Sequence, residues 1–70
     1  MARKWLKELR KAKRLTQVDI AERLGISQNH YCNIENGLKQ KDLPLSMARK
    51  ISEVLDVPLE YIVDFEFRRG

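Results

Sequence analysis

Apolar positions near the start of the chain recur every three or four residues, which is the period of an amphipathic helix. The pattern predicts a first helix over residues 3–13. Its apolar stripe is expected to be Leu6, Leu9 and Ala12, or Trp5, Leu9 and Ala12. The outer face is basic, and it is either a solvated face or a surface that meets phosphates. Its cations are Arg3, Lys4, Lys7 and Lys11.

Two capping signals predict the next two helices, which follow each other closely. The Thr16 hydroxyl suits an N-cap, and Asp19 stands where the acid of a capping box belongs, so a second helix is expected over residues 17–24. Gly25 ends that helix by adopting the left-handed conformation. Ser27 starts a third helix, which continues to the next glycine.

The second half of the chain predicts two more helices. Pro44 suits the first position of a fourth helix. The buried stripe of that helix is expected to be Leu45, Ala48, Ile51 and Leu55. A short fifth helix is indicated by Leu59, Ile62 and Val63. The alternation in residues 65–67 is typical of a short extended end. Apart from that segment, the pattern predicts helices throughout, so we expect an all-α chain of five helices.

Composition agrees with one small folded unit. Of 70 residues, 43% are hydrophobic and 34% are charged, the balance of a compact globular chain. A chain of this length hides only about 60% of the surface that its unfolded form exposes, so we expect modest stability. Residues 1–70 are therefore expected to form a single domain.

Positive charge is concentrated in the first part of the chain. The formal net charge is +4, yet residues 1–41 hold ten Lys and Arg against four Asp and Glu, whereas residues 42–70 hold four against six. This distribution favours an anionic partner, with nucleic acid ahead of an anionic membrane. The chain shows no long apolar segment and no signal peptide, so we do not expect a membrane role. We expect a cytoplasmic location instead.

Cysteine and histidine are too few for disulfide or metal chemistry. Cys32 is the one cysteine and His30 the one histidine, so neither an internal disulfide nor a four-ligand metal site is expected from them. No paired acid and base, no nucleophile with its base and no phosphate-cradling loop is evident. We therefore expect neither a cofactor nor an enzyme.

Residues 17–36 fit the twenty-residue window of two helices that cross over a tight turn. Apolar residues are needed in the angle between the helices, and they stand at Ile20, Leu24, Ile26, Tyr31 and Ile34. Close approach of the helices needs a small side chain, supplied by Ala21, and the turn needs a left-handed residue, supplied by Gly25. Seven agreements predict a helix-turn-helix over about residues 16–36.

Four segments carry a family resemblance over most of the chain. They are LKELR at 6–10, LTQ at 15–17, IAERLGIS at 20–27 and IENG at 34–37. The chain resembles the Cro and cI-type (XRE-like) helix-turn-helix family, which includes the repressors of lambda-like phages. The resemblance implies a five-helix lambda-repressor-like domain of a phage or prophage regulator that acts on the nucleoid. The chain departs from the family pattern at Arg14 and Asp56, where glycine is common. The loop expected before Pro44 is also longer than is usual in the family.

In such proteins the third helix lies in the major groove. Residues that point away from the apolar stripe are short, neutral and rich in amides, and an amide side chain pairs in bidentate fashion with adenine. By resemblance, Gln28 is the first candidate for a base contact, Asn29 and Asn33 follow, and the role of His30 is open. An ordinary polar helix face is the alternative for Gln28 and Asn33.

Phosphate contacts are expected at helix ends and in the loop after the third helix. The candidates are Thr16, Gln17, Ser27, Asn36, Lys39 and Lys41. Tyr31 is expected to be mostly buried with its hydroxyl at the edge, within reach of a phosphate. Arg10 and Glu35 resemble the family's internal ion pair, which would tie the first helix to the end of the third.

These features predict a sequence-specific transcriptional regulator of double-stranded DNA, with repression as the expected action. A homodimer on a pseudo-palindromic operator is expected, with contacts through Tyr61, Phe65 and Phe67, although these aromatic residues would also suit the underside of the domain itself. The alternative is an antitoxin-like protein-interaction module whose DNA binding is secondary.

Overall fold

The computed structural model describes residues 2–37 and 43–69. Within these residues the chain forms five α-helices and a π-helical turn, and it contains no strand. The helices are α1 (Lys4–Ala12), α2 (Gln17–Leu24), α3 (Gln28–Asn36), α4 (Leu45–Leu55) and α5 (Leu59–Val63), and the π-helical turn is Asp64–Arg69. The prediction of an all-α, five-helix architecture is therefore confirmed.

The ends of α2 and α3 follow the capping chemistry of their residues. The Asp19 N–H donates to Thr16 Oγ1 at 3.1 Å, and the Thr16 N–H donates to Asp19 Oδ2 at 3.0 Å, which completes the predicted capping box. The bond from the Thr16 N–H also holds the pKa of Asp19 below its usual value. Ser27 Oγ accepts from the His30 N–H at 3.1 Å and caps α3.

Buried side chains from all five helices meet in one apolar core. The core consists of Leu6, Ile20, Ala21, Leu24, Tyr31, Ile34, Leu43, Ala48, Ile51, Leu55 and Ile62. Trp5, Leu9, Leu15 and Ile26 are partly buried and pack against it. In this arrangement α1 and α4 support α2 and α3 from behind, which leaves one side of α3 open to solvent.

Two residues predicted to lie in apolar stripes are exposed. Leu45 is 60% exposed because it lies about 90° around the helix from the centre of the face made by Ala48, Ile51 and Leu55. Pro44 precedes α4 as its N-cap residue instead of occupying its first helical position. Ala12 is exposed because α1 buries a face that is set by Leu6 and Arg10.

The segment at 65–67 is helical and not extended, so that prediction was wrong. Its alternation of aromatic and acidic residues has a tertiary cause. Glu66 points inward to Arg3, Phe65 stacks on Trp5 with ring centroids 5.7 Å apart, and Phe67 faces solvent. Because Glu66 is the residue that faces inward, the polar and apolar residues alternate as they do in a strand, although the backbone is helical.

Both departures from the family's glycine positions keep the left-handed turn. Arg14 has φ +58° after α1, and Asp56 has φ +56° after α4. Both residues carry the steric cost of a Cβ in this conformation, but Asp offsets part of it in general because its short polar side chain can bond to the nearby backbone. The turn is therefore set by the helices on either side of it and not by the residue it contains.

None of the helices in residues 2–37 and 43–69 is long and apolar enough to cross a lipid bilayer.

Candidate nucleic-acid interface

A short turn fixes α3 across α2. The Ile26 N–H donates to the Ala21 carbonyl at 3.0 Å, and Gly25, with φ +73°, donates to the Glu22 carbonyl at 3.1 Å. Ile20 and Leu24 of α2 are buried with Tyr31 of α3 in the angle between the helices. This is the geometry that the seven sequence agreements predict.

The outer side of α3 presents a continuous row of polar side chains. With about 100° between successive residues, Asn29, Asn33 and Asn36 stand opposite the buried stripe of Tyr31 and Ile34. Asn29 and Asn36 are exposed, and Asn33 is partly exposed. This row of amides forms the centre of the open face.

Gln28 and His30 lie at the two margins of that face and are both exposed. Cys32 is partly exposed beside the row, and the Asn36 Nδ2 group donates to its Sγ at 3.3 Å. The structure thus brings Gln28, Asn29 and Asn33 onto one surface. His30 stands at the margin farthest from Gln28.

Glu35 accepts hydrogen bonds from three helices. Arg10 of α1 donates through Nε to Oε2 at 3.0 Å and through Nη2 to Oε1 at 3.3 Å. Tyr31 of α3 donates its hydroxyl to Oε2 at 2.7 Å, and Gln17 of α2 donates Nε2 to Oε1 at 3.3 Å. We call these four residues the Glu35 cluster. The structure thus places Arg10 and Glu35 together, as the resemblance implies.

Two members of the Glu35 cluster were expected elsewhere. The Tyr31 side chain is fully buried and its hydroxyl points at Glu35, so it does not stand at an edge where a phosphate would reach it. Gln17 is partly buried at the first position of α2 and turns its amide toward Glu35. The spacing of Tyr31 and Glu35, four residues apart on one helix, was the sequence signal for the first of these contacts.

Electrostatics in the cluster favour an ionised carboxylate. Burial raises the pKa of Glu35, but the hydrogen bonds from Arg10 and Tyr31 outweigh burial and bring the pKa below its usual value. The bond to Glu35 raises the pKa of Arg10. Burial, with the bond to Glu35, raises the pKa of Tyr31, so its hydroxyl stays a donor. The cluster therefore holds one negative and one positive charge at neutral pH.

Arg3 does not belong to the basic outer face of α1. Its Nε and Nη2 donate to the two carboxylate oxygens of Glu66 at 2.8 and 2.7 Å, and its Nη1 donates to the Ile34 carbonyl. It is buried, so it has no phosphate role on this surface. Lys4, Lys7 and Lys11 are exposed on the side of α1 away from the core.

The remaining phosphate candidates lie at helix ends or between α3 and α4. Thr16, Ser27 and Asn36 are exposed at the ends of α2 and α3. Lys39 and Lys41 lie outside the described residues. Neither local pattern nor spacing pointed to the pairing of Arg3 with Glu66, because it joins residues 63 positions apart.

The aromatic residues expected at a dimer surface have different surroundings. Phe65 is half-buried between Trp5 and Tyr61, whose ring centroid is 4.9 Å from its own. Tyr61 and Phe67 are 44% and 53% exposed. Phe65 therefore packs within its own chain, while about half of the surface of Tyr61 and of Phe67 remains exposed to solvent.

Comparison with known proteins agrees with this architecture. A family model described as helix-turn-helix matches residues 6–62. The chain is 39% identical over 61 residues to an uncharacterized HTH-type transcriptional regulator, YqaE, of Bacillus subtilis (strain 168), an alignment that covers 87% of this chain and 51% of the relative. The chain thus spans about half the length of that relative, and no solved structure matches it significantly. The chain belongs to the XRE-type helix-turn-helix family of DNA-binding transcriptional regulators, which is not a family of enzymes.

Proposed function

We propose that this chain is a sequence-specific transcriptional regulator that reads the major groove of double-stranded DNA with α3 and represses the genes beside its operator. The observation that carries the proposal is the row of exposed amides on α3, opposite its buried stripe and directly after the tight turn. An amide pairs in bidentate fashion with adenine N6 and N7, so this face suits a half-site that contains A·T pairs.

In this proposal Gln28 makes the principal base contact, and Asn29 and Asn33 add contacts along the groove. His30, at the far margin of the face, is a secondary candidate. Thr16, Gln17, Ser27 and Asn36 meet phosphates at the helix ends. Lys39 and Lys41 add positive charge in the segment between α3 and α4.

The same proposal covers the assembly and its setting. Residues 1–70 act as one DNA-binding domain, and two copies bind a pseudo-palindromic operator, because two-fold symmetry in the protein is matched by symmetry in the site. The setting is a phage or prophage control circuit in the cytoplasm of a prokaryotic cell. The printed name of the Bacillus subtilis relative, an HTH-type transcriptional regulator, supports the regulatory part.

The test begins with selection of bound duplexes from a random pool, followed by affinity measurements on the selected duplex and on a scrambled one. Gln28→Ala removes a bidentate base contact, so it should weaken binding to the selected duplex by about 1–3 kcal/mol and hardly change binding to the scrambled one. Equal weakening on both duplexes would contradict base reading by Gln28.

Substitution of Lys39 or Lys41 should affect DNA binding differently from substitution of Gln28. Lys39→Ala or Lys41→Ala should weaken binding to both duplexes and reduce the slope of log affinity against log salt by about 0.9 for each phosphate that is no longer neutralised. Lys50→Ala is the matched control, because it removes the same charge from an exposed position on α4. A salt slope that changes as much in the control as in the Lys39 and Lys41 variants would contradict the assignment.

A further inference from the structure

We propose that Glu35 acts as a positioning residue for DNA binding: it fixes the Gln17 amide with its nitrogen toward Glu35, and the second N–H group of that nitrogen then donates to a phosphate. Tyr31 and Arg10 position Glu35 in turn. The inference rests on the proposed function, because it requires Gln17 to meet the DNA backbone. It assigns a binding role to a buried cluster whose contacts would otherwise be read as purely structural.

Glu35 is held in place from two sides. The residue is 4% exposed, and its Oε2 accepts both the Tyr31 hydroxyl at 2.7 Å and Arg10 Nε at 3.0 Å. Arg10 is itself anchored, because its Nη1 donates to the Leu15 carbonyl at 2.8 Å. These bonds fix the carboxylate plane, and Oε1 accepts from both Arg10 Nη2 and Gln17 Nε2, each at 3.3 Å.

An ionised carboxylate accepts hydrogen bonds and donates none. Glu35 therefore bonds only with the Nε2 end of the Gln17 amide, since a flipped amide would set its carbonyl oxygen against Oε1. Of the two N–H groups on Nε2, one is used by Glu35, and the other makes no hydrogen bond among the described residues. The pKa of Glu35, held below its usual value, keeps this acceptor ionised at neutral pH.

Phosphate oxygens also accept and do not donate. An amide whose nitrogen end is fixed offers a second N–H to such an oxygen, whereas a freely rotating amide presents its carbonyl oxygen part of the time. Gln17 is the first residue of α2, where backbone N–H groups already favour an anion. An amide that is already fixed loses less side-chain conformational entropy when it binds. The cluster should therefore increase affinity for DNA of any sequence.

The experiment is a double-mutant cycle in DNA affinity with Gln17→Ala and Tyr31→Phe, measured at a temperature where all variants are folded. Gln17→Ala should weaken binding by about three- to tenfold on selected and scrambled duplexes alike, the range of one net hydrogen bond. The salt slope should stay unchanged, because the amide is neutral and releases no counterion. Tyr31→Phe should weaken binding by about two- to threefold when Gln17 is present and have no effect when it is absent.

Ser52→Ala is the matched control, because it also deletes a hydroxyl that forms a hydrogen bond, here to the Arg49 carbonyl on α4. Its effect on affinity should be the same in both backgrounds. A Tyr31→Phe effect of equal size with and without Gln17 would show that the hydroxyl acts only on the fold. Unchanged affinity in Gln17→Ala would also overturn the inference, whereas a wild-type chain that binds no duplex at low salt would overturn the proposed function first.

A second measurement needs no DNA. In the NMR spectrum of the wild-type chain without DNA, the Gln17 side-chain NH₂ group should exchange with solvent more slowly than that of exposed Gln28, which serves as an internal reference. Tyr31→Phe should reduce this difference. Equal exchange for the two amides in the wild-type chain would contradict a fixed Gln17.

Discussion

Arg3 and Glu66 are 63 positions apart and form a two-pronged ion pair in which both side chains are at least nine-tenths buried. Glu66 also accepts the Leu43 N–H at 3.2 Å, and the Arg3 N–H donates to the Glu35 carbonyl at 2.7 Å. The pair thus joins the start of α1, the end of α3, the approach to α4 and the π-helical turn. It thereby links the first and last helical segments of the described chain.

Removing either partner of this pair should be strongly destabilising. Arg3→Ala or Glu66→Ala leaves a buried charge without its counter-charge, which costs about 3–5 kcal/mol of unfolding free energy. Urea denaturation of each variant measures the loss. Arg68→Ala is the control, because Arg68 faces Asp64 at 3.9 Å on the surface and such pairs contribute about 0–1 kcal/mol. Equal losses in Glu66→Ala and Arg68→Ala would show that burial of the first pair has no energetic effect.

The Glu35 cluster should make the fold sensitive to acid. Because the pKa of Glu35 in the fold lies below the unfolded value of about 4.3, its contribution to stability is present above that pH and is lost as pH falls through the folded value. We expect the wild-type unfolding free energy to fall steeply in this window. Glu35→Gln should be less stable at pH 7 and should show a shallower fall.

The comparison needs a control because other carboxylates titrate in the same window. Glu53→Gln makes the same substitution at an exposed position on α4 outside the Glu35 cluster, and it should lower the unfolding free energy at pH 7 by less than Glu35→Gln does. Denaturant titrations at pH values between about 7 and 2.5 separate the three proteins. Parallel curves for Glu35→Gln and the wild-type chain would contradict the assignment.

What the sequence predicted well was decided by local chemistry. The capping box at Thr16 and the left-handed Gly25 depend on residues within four positions, and the bounds of α2 follow from them. Once Tyr31 and Ile34 are assigned to the buried face of α3, the helical period places the row of amides on the opposite, outward face. The helix-turn-helix was therefore visible before any tertiary contact was known.

What the sequence missed depends on distant partners. Arg3 looked like one more cation of the basic face of α1, and only the position of Glu66 explains why it is buried. The alternation at 65–67 suggested an extended segment because a buried glutamate is indistinguishable in a pattern from an exposed one. The Gln17 contact was missed because it depends on how α2 crosses the end of α3.

The left-handed turn at Arg14 should be a point of local strain. A Cβ at φ +58° costs about 1–2 kcal/mol, whereas glycine avoids that cost but loses about 0.5–1 kcal/mol through its freer unfolded state. Arg14→Gly should therefore raise the unfolding free energy by roughly 0.5–1 kcal/mol. Arg14→Ala, which removes the same charge but keeps Cβ, should give no such gain, and equal stability of the two variants would mean that the turn is unstrained.

The exposed aromatic residues at the end of the chain should mediate a homodimer. Tyr61 and Phe67 are 44% and 53% exposed beside the Trp5 and Phe65 stack, and the area of two such side chains is costly to leave in water. We expect sedimentation equilibrium to show dimers of the wild-type chain, at least on a palindromic duplex, with two chains for each duplex. Phe67→Arg should give monomers, because a charge at the interface would be desolvated without a partner.

Leu45→Arg is the control for this experiment, since it places the same charge at an apolar side chain that is 60% exposed on α4. It should leave the dimer intact, and thermal melting should show that both variants are folded. Tyr61→Ser should weaken the dimer without introducing charge, which separates removal of the aromatic ring from charge repulsion. One chain for each palindromic duplex, or a dimer as stable in Phe67→Arg as in Leu45→Arg, would place the interface elsewhere and leave Tyr61 and Phe67 as solvated side chains of the chain's own underside.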